Sequence, residues 1–131
     1  MSGGTDLSAL LAGMAPALAP EVYVFVTTTA PPDIPALMRF EEAEGTTLIL
    51  SRSAAEAAGL AHEFPCRMIT LNVHSALDAV GFIALIATRL AAEGMGVNPV
   101  AGFYHDHLFV PENRAEDAMA ALAEIVAEAQ R

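Results

Sequence analysis

The stretch that decides the fold runs from Cys66 to Pro111. It opens Cys66-Arg-Met-Ile-Thr-Leu-Asn-Val-His74, passes through Asp78-Ala-Val-Gly81-Phe-Ile83, and closes Val97-Asn-Pro-Val-Ala-Gly-Phe-Tyr-His-Asp-His-Leu-Phe-Val-Pro111. Cys66–His74 is rich in β-branched and apolar residues and reads as a strand. Ala79–Glu93 places Val80, Ile83, Ile86, Ala87 and Leu90 on one helical face, and Gly94 and Gly96 stop it. Val97–Tyr104 and Leu108–Val110 read as two further strands, with His105-Asp106-His107 between them. A last helix follows, with Asn113 and Glu116 as expected caps and Ala118, Met119, Leu122, Ile125, Val126 and Ala129 as its buried stripe.

Working outward, the first half carries a matching pattern. Leu7, Leu10, Leu11 and Met14 fall at helical spacing with Thr5 as expected cap, and Pro16 and Pro20 end that helix. Val22–Thr29 is the strongest strand signal. Ala30–Pro35 contains Pro31, Pro32 and Pro35 and reads as a loop. Met38–Glu44 and Thr46–Leu50 flank Glu44-Gly45 as a hairpin. Ser53-Ala-Ala-Glu56 has the spacing of a capping box for a short helix that Gly59 closes, and His62–Pro65 reads as a linker. The halves read α-β-β-β-α and β-α-β-β-α. That is the grammar of an α+β, ferredoxin-like fold of the βαββαβ type: an antiparallel sheet with helices on one face. Two independent units of this type need eight strands, and the pattern supplies six. The halves, 1–64 and 65–131, must share strands, or another chain must complete their sheets.

Composition narrows the function. The chain has 131 residues, with 16 Asp+Glu against 6 Lys+Arg, a formal net charge of −10, so polyanion partners such as nucleic acid and anionic membranes are disfavoured. All six basic residues are arginines. About one residue in five is alanine, so much of the 54% apolar content is small side chains suited to close packing. No apolar run reaches the roughly 20 residues of a membrane span. The N-terminus lacks the basic region of a signal peptide, and a single cysteine suits a reducing compartment, so a cytoplasmic protein is expected. Ser2-Gly3-Gly4 reads as a flexible terminus. Cys66 is expected to be a buried, inert thiol, and Glu41, Glu42 and Glu44 a solvated acidic face. No Ser/His/Asp, Cys/His or paired-carboxylate pattern and no phosphate-binding glycine loop is present, which points away from an enzyme and from a bound cofactor.

The order of the blocks from Met68 to Pro111 resembles the ACT domain, a small regulatory module that binds amino acids. The carrying residues are Ile69-Thr-Leu-Asn-Val73, the Asp78-x-x-Gly81 turn into a helix, and the Val97–Pro111 segment. Together with Met38-Arg-Phe-Glu-Glu-Ala-Glu-Gly-Thr-Thr-Leu-Ile-Leu50, they resemble short bacterial tandem-ACT amino-acid sensors. The resemblance implies a ligand near the Asp78–Ile83 turn, at an interface between two modules.

The chemistry of that turn can be argued separately. The first N–H groups of a helix have no internal partner and attract a carboxylate. Asp78, Ala79, Val80, Gly81, Phe82 and Ile83 are the expected contacts, with Gly81 permitting close approach. Asp106 is the expected partner of a ligand ammonium, with Asp78 as second choice. Asn98 and His105 complete the expected set. Asp78 has a plain alternative as the N-cap of the helix. Competing with an amino-acid sensor are a metal protein or small enzyme centred on His105-Asp106-His107, and an interaction module that completes its sheet with another chain. A homodimer or higher oligomer is expected because small ferredoxin-like units leave sheet edges open.

Overall fold

The computed structural model describes residues 3–131. Helix α1 (Leu7–Gly13) leads into strand β1 (Ala17–Thr28), followed by β2 (Met38–Glu42), β3 (Gly45–Ser51), α2 (Arg52–Ala57) and β4 (Glu63–Thr70). Then come α3 (Phe82–Ala92), β5 (Asn98–Ala101), β6 (Asp106–Pro111), a 3-10 turn (Glu112–Arg114) and α4 (Ala115–Ala129). The six strands form one antiparallel sheet in the order β2-β3-β1-β4-β6-β5. This is the mixed α+β, ferredoxin-like architecture that the pattern of apolar residues implies.

The missing two strands are supplied by sharing. The chain resolves into two compact units, one made of residues up to Ala19 with Arg67–Arg131, the other of Pro20–Cys66. Both boundaries fall inside a strand. Ala17–Ala19 of β1 and Arg67–Thr70 of β4 join β6 and β5 in the first unit, while the remainders of β1 and β4 join β3 and β2 in the second. Each strand is thus the first strand of one ferredoxin-like order and the last of the other. The spatial units do not follow the 1–64 and 65–131 division of the sequence, because α1 packs with the C-terminal helices. Strand β1 also runs through Pro20 rather than starting after it. Proline has a backbone angle compatible with extended chain. Pro65 stands at the equivalent place in β4, so the segment expected as a linker is strand.

In the first unit, alternate strand residues point to one face. Ile69, Leu71, Leu108 and Val110 meet Phe82, Ile86 and Leu90 of α3 and Leu122 and Ile125 of α4. Ala118 and Ala121 of α4 are buried in the same core and allow close approach. Helix α1 adds Leu10, Leu11 and Met14 to this core, and Gln130 Nε2 donates to the Ala12 carbonyl at 2.9 Å, tying the end of α4 to α1. Gly4 is tied to the loop before α3: Gly4 N donates to His74 O and Ala76 N to Gly4 O, both at 2.8 Å. The expected flexible Ser2-Gly3-Gly4 is therefore corrected at Gly4, and Ser2 lies outside the described residues.

The second unit has a smaller core of Val24, Val26, Leu48, Leu50 and Ala55. Register places Val24 opposite Leu50 and Val26 opposite Leu48. Where a full βαββαβ unit has its first helix, the proline-bearing loop crosses instead, with Ile34 packed on the core. In the hairpin, Glu42 pairs with Gly45, so the turn residues are Ala43-Glu44 rather than Glu44-Gly45. The acidic residues are exposed but partly engaged. Arg39 Nε donates to Glu41 Oε1 at 2.7 Å and Thr46 Oγ1 donates to Glu41 Oε2 at 2.9 Å. The Arg39 hydrogen bond, then that of Thr46, holds the Glu41 carboxyl below the usual range.

Three expected caps move. Asp6, not Thr5, caps α1 by accepting from Ala9 N at 3.1 Å. Ser51, not Ser53, caps α2 by accepting from Ala54 N at 3.2 Å, because the helix begins as soon as β3 ends. Helix α4 has no side-chain cap: the 3-10 turn feeds it directly, so Asn113 and Glu116 do not serve. Cys66 is fully buried, its thiol donates to Tyr23 O at 3.3 Å, and burial pushes its pKa up to about 12. A thiol so protonated is inert.

Ile86 has no exposed surface and sits at the centre of the larger core. Ile86→Ala should lower the unfolding free energy by about 2–5 kcal/mol, through lost transfer energy and the cavity left behind. Urea denaturation with an unchanged slope checks it; a loss below about 1 kcal/mol would contradict this packing.

Candidate functional site

The site lies within the larger unit, where β4 gives way to α3. Pairing continues one residue past the strand: Leu71 N donates to Asp106 O at 3.0 Å. The chain then turns. Ala79 N donates to Ala76 O at 3.0 Å, and Gly81 adopts φ 93°, ψ −11° as the residue before α3. That left-handed conformation favours glycine. A Cβ added to Gly81 would meet only Leu7 Cδ2, at an ordinary 3.6 Å. The glycine is therefore needed for its backbone angle, not for space.

The first helical bond of α3 runs from Leu85 N to Gly81 O at 3.0 Å. The N–H groups of Phe82, Ile83 and Ala84 precede it and have no acceptor inside the helix. All three residues line a cavity of about 340 Å³. Ala101, Gly102 and Asp106 on the β5–β6 hairpin line it as well, as do Ser75, Ala76, Leu77 and Ala79 of the turn before α3. Asp106 pairs with Ala101 in the ladder. Its Oδ2 accepts from Ser75 Oγ at 3.0 Å, and Oδ1 accepts no hydrogen bond from the described residues. Asp106 and the three residues that open the helix thus line one cavity.

Of the expected residues, Ala79, Gly81, Phe82, Ile83 and Asp106 line this cavity; Asp78, Val80, Asn98 and His105 do not. The helix begins at Phe82, four residues later than Asp78, because the Ala76–Ala79 turn and Gly81 come first. Asp78 therefore does not cap it, and the amides of Asp78, Ala79 and Val80 are not helical ones. Val80 is 85% exposed. Asn98 is exposed at the start of the edge strand β5. His105 lies in the hairpin turn, where its carbonyl accepts from Gly102 N at 2.9 Å. Sequence reading missed Ser75, which anchors Asp106. Its one signal was that it is the sole side-chain hydroxyl between Leu71 and Gly81.

The histidines do not gather around a metal. His107 Nδ1 shares a hydrogen bond with Thr70 Oγ1 at 3.0 Å, and His74 packs its ring on Tyr104 with centroids 5.3 Å apart. Among the described residues no group of three or more His, Cys, Asp or Glu could hold a metal ion, so the metal reading lacks a donor set. Burial, then the neighbouring His105, lowers the His107 pKa, while Asp106 opposes the shift.

The ACT-domain family profile matches residues 2–67, and a second ACT-domain profile matches residues 63–124. A Vibrio cholerae protein of unknown function, described as a possible transport protein, is similar in structure. It is 40% identical over 95% of this chain and 99% of its own, with a TM-score of 0.84. An Agrobacterium tumefaciens protein is 18% identical over 86% of this chain and 89% of its own, with a TM-score of 0.72. The ligand-free regulatory subunit of aspartate kinase from Thermus thermophilus is 12% identical over 88% of this chain and 97% of its own, with a TM-score of 0.66. These last two show likeness of fold alone. No curated protein matches the sequence significantly. No helix among the described residues is long and apolar enough to cross a membrane.

Two outcomes follow from this geometry. Gly81→Ala should cost about 1–2 kcal/mol, the penalty of left-handed backbone, and Gly81→Asn less, because asparagine tolerates that region. Equal urea midpoints for all three proteins would refute the conformational role. For His107, the native pKa lies below the ordinary 6.5. The unfolded chain then binds a proton that the native protein resists, so stability falls as pH drops through 6.5 and the loss is complete below the native value. Melting temperatures from pH 8 to pH 5 should fall less steeply in His107→Gln than in the parent; parallel curves would count against it.

Proposed function

The chain belongs to the ACT-domain family, and from that premise we propose that it is a non-enzymatic regulatory protein that binds an amino acid at the start of α3. The observation that carries this reading is one cavity lined both by Phe82, Ile83 and Ala84 of the helix start and by Asp106. A zwitterion needs an anion receptor and a cation receptor a few ångströms apart. Helix amides take the carboxylate, with the helix dipole in support. Asp106 Oδ1 takes the ammonium, while the Ser75 hydroxyl holds Oδ2 and fixes the carboxylate's orientation. Such a site needs no basic side chain, in keeping with a chain that has no lysine and only six arginines.

Binding acts by shifting an equilibrium between conformations or assemblies, to the extent that the ligand prefers one of them. A homodimer or higher oligomer is part of the proposal. Strands β2 and β5 end the sheet, and their outer backbone groups are open to pairing with another copy. The tandem halves are taken as residues 1–64 and 65–131, a division close to the two profile matches. A cytoplasmic location completes the reading; one buried free thiol at Cys66 suits a reducing compartment.

The test is a thermal-shift and calorimetric screen of the twenty amino acids. A ligand present at 100 times its Kd should stabilise the parent by about 2.7 kcal/mol. Asp106→Ala should keep the fold and lose that response. Failure of every amino acid to stabilise the parent at millimolar concentration would overturn the reading.

A further inference from the structure

The strand β2 ends the sheet with a charge pattern that is complementary to itself. Resting on the reading of the protein as a homo-oligomer, we propose that two copies pair their β2 strands antiparallel, across a two-fold axis centred on Phe40. Glu42 and Gly45 flank a two-residue turn, so they form a hydrogen-bonded pair, and alternation makes Phe40–Thr47 the next one. The backbone N–H and C=O groups of Arg39 and Glu41 therefore point away from β3, out of the sheet edge.

An isologous pairing must set outward residues opposite outward residues. Centred on Arg39 it would face Arg39 with the partner's Arg39, and centred on Glu41 it would face two carboxylates; like charges directly opposite are destabilising. Centred on Phe40, Arg39 meets the partner's Glu41 and Glu41 meets the partner's Arg39, each pair exchanging two backbone hydrogen bonds. The side chains are already posed for this. Arg39 Nε lies 2.7 Å from Glu41 Oε1 within one chain, and Thr46 Oγ1 holds the other carboxylate oxygen. Phe40 is 63% exposed on the opposite face of the strand and would cover the partner's Phe40. The other end of the sheet is less suited. Asp106 O accepts from Leu71 N, so the backbone of Asp106 faces β4, and its ladder partner Ala101 and, two residues back, Pro99 face outward on β5. Proline offers no N–H there, which blunts that edge.

Sedimentation equilibrium of the full chain and three variants tests this. The parent should dimerise. Arg39→Glu and Glu41→Arg, each alone, should weaken self-association about tenfold or more by setting like charges opposite each other. Both side chains are exposed, so the core is spared. Equimolar mixing of the two single variants should restore the dimer, because each then meets its complement, and the chain carrying both substitutions should dimerise like the parent. If the parent dimerises and both single variants do so equally well, β2 is not the interface and the oligomer stands. If the single variants are weakened but neither the mixture nor the double variant recovers, the register centred on Phe40 is wrong. If the parent is monomeric up to millimolar concentration, interface and oligomer both fall, and the amino-acid screen still judges the ligand site by itself.

Discussion

An unpaired strand edge leaves backbone donors and acceptors without partners, and this chain is too short to bury its edges by adding strands. Two ferredoxin-like orders are built from six strands because β1 and β4 each serve twice. The twelve residues of β1 and eight of β4 follow from that, as does the position of Pro20 and Pro65 near the places where each strand passes from one unit to the other. Helix α1 follows too: it precedes the first strand in the chain yet covers the core that the last helices cover, because the start of β1 belongs to that unit.

The same economy brings Asp106 to the site. Its backbone carbonyl extends the pairing of β4 past Thr70 by accepting from Leu71, and its carboxylate holds Ser75 in the turn that follows. One residue at the start of β6 thus fixes both the exit of β4 and the loop leading to α3. The loop is tied from its other side by Gly4, which bonds to His74 and Ala76. A connection of eleven residues between strand and helix is thus tied both to Gly4 and to Asp106, and the start of α3 lines the same cavity as Asp106.

How much of this was legible is clear from particular residues. The cores announced themselves: Leu48 and Leu50, Ile69 and Leu71, and Leu108 and Val110 alternate with period two, and Ile86, Leu90, Leu122 and Ile125 fall at helical spacing. Asp106 was legible as a carboxylate in a turn after Val97. Ser75 was not, because its role depends on Asp106, thirty-one residues away in sequence. Asp78 misled because an Asp-x-x-Gly spacing fits a cap equally well, and only the left-handed Gly81 delays the helix to Phe82. Thr5, Ser53 and Asn113 misled for a related reason: several polar residues near a helix start can each cap it, and the backbone path chooses among them.

By itself the sequence determined the class of the fold, the strand deficit and the chemistry available to a ligand, because periodicity, strand count and charge are properties of the chain as written. The −10 charge, with no lysine and six arginines, already disfavoured polyanion partners. Only the tertiary structure decided how the deficit was met and which residues share the cavity. Strand sharing depends on pairings between segments far apart in sequence, and cavity walls depend on where three turns converge. Both are set by long-range register and packing, for which local sequence carries no separate signal.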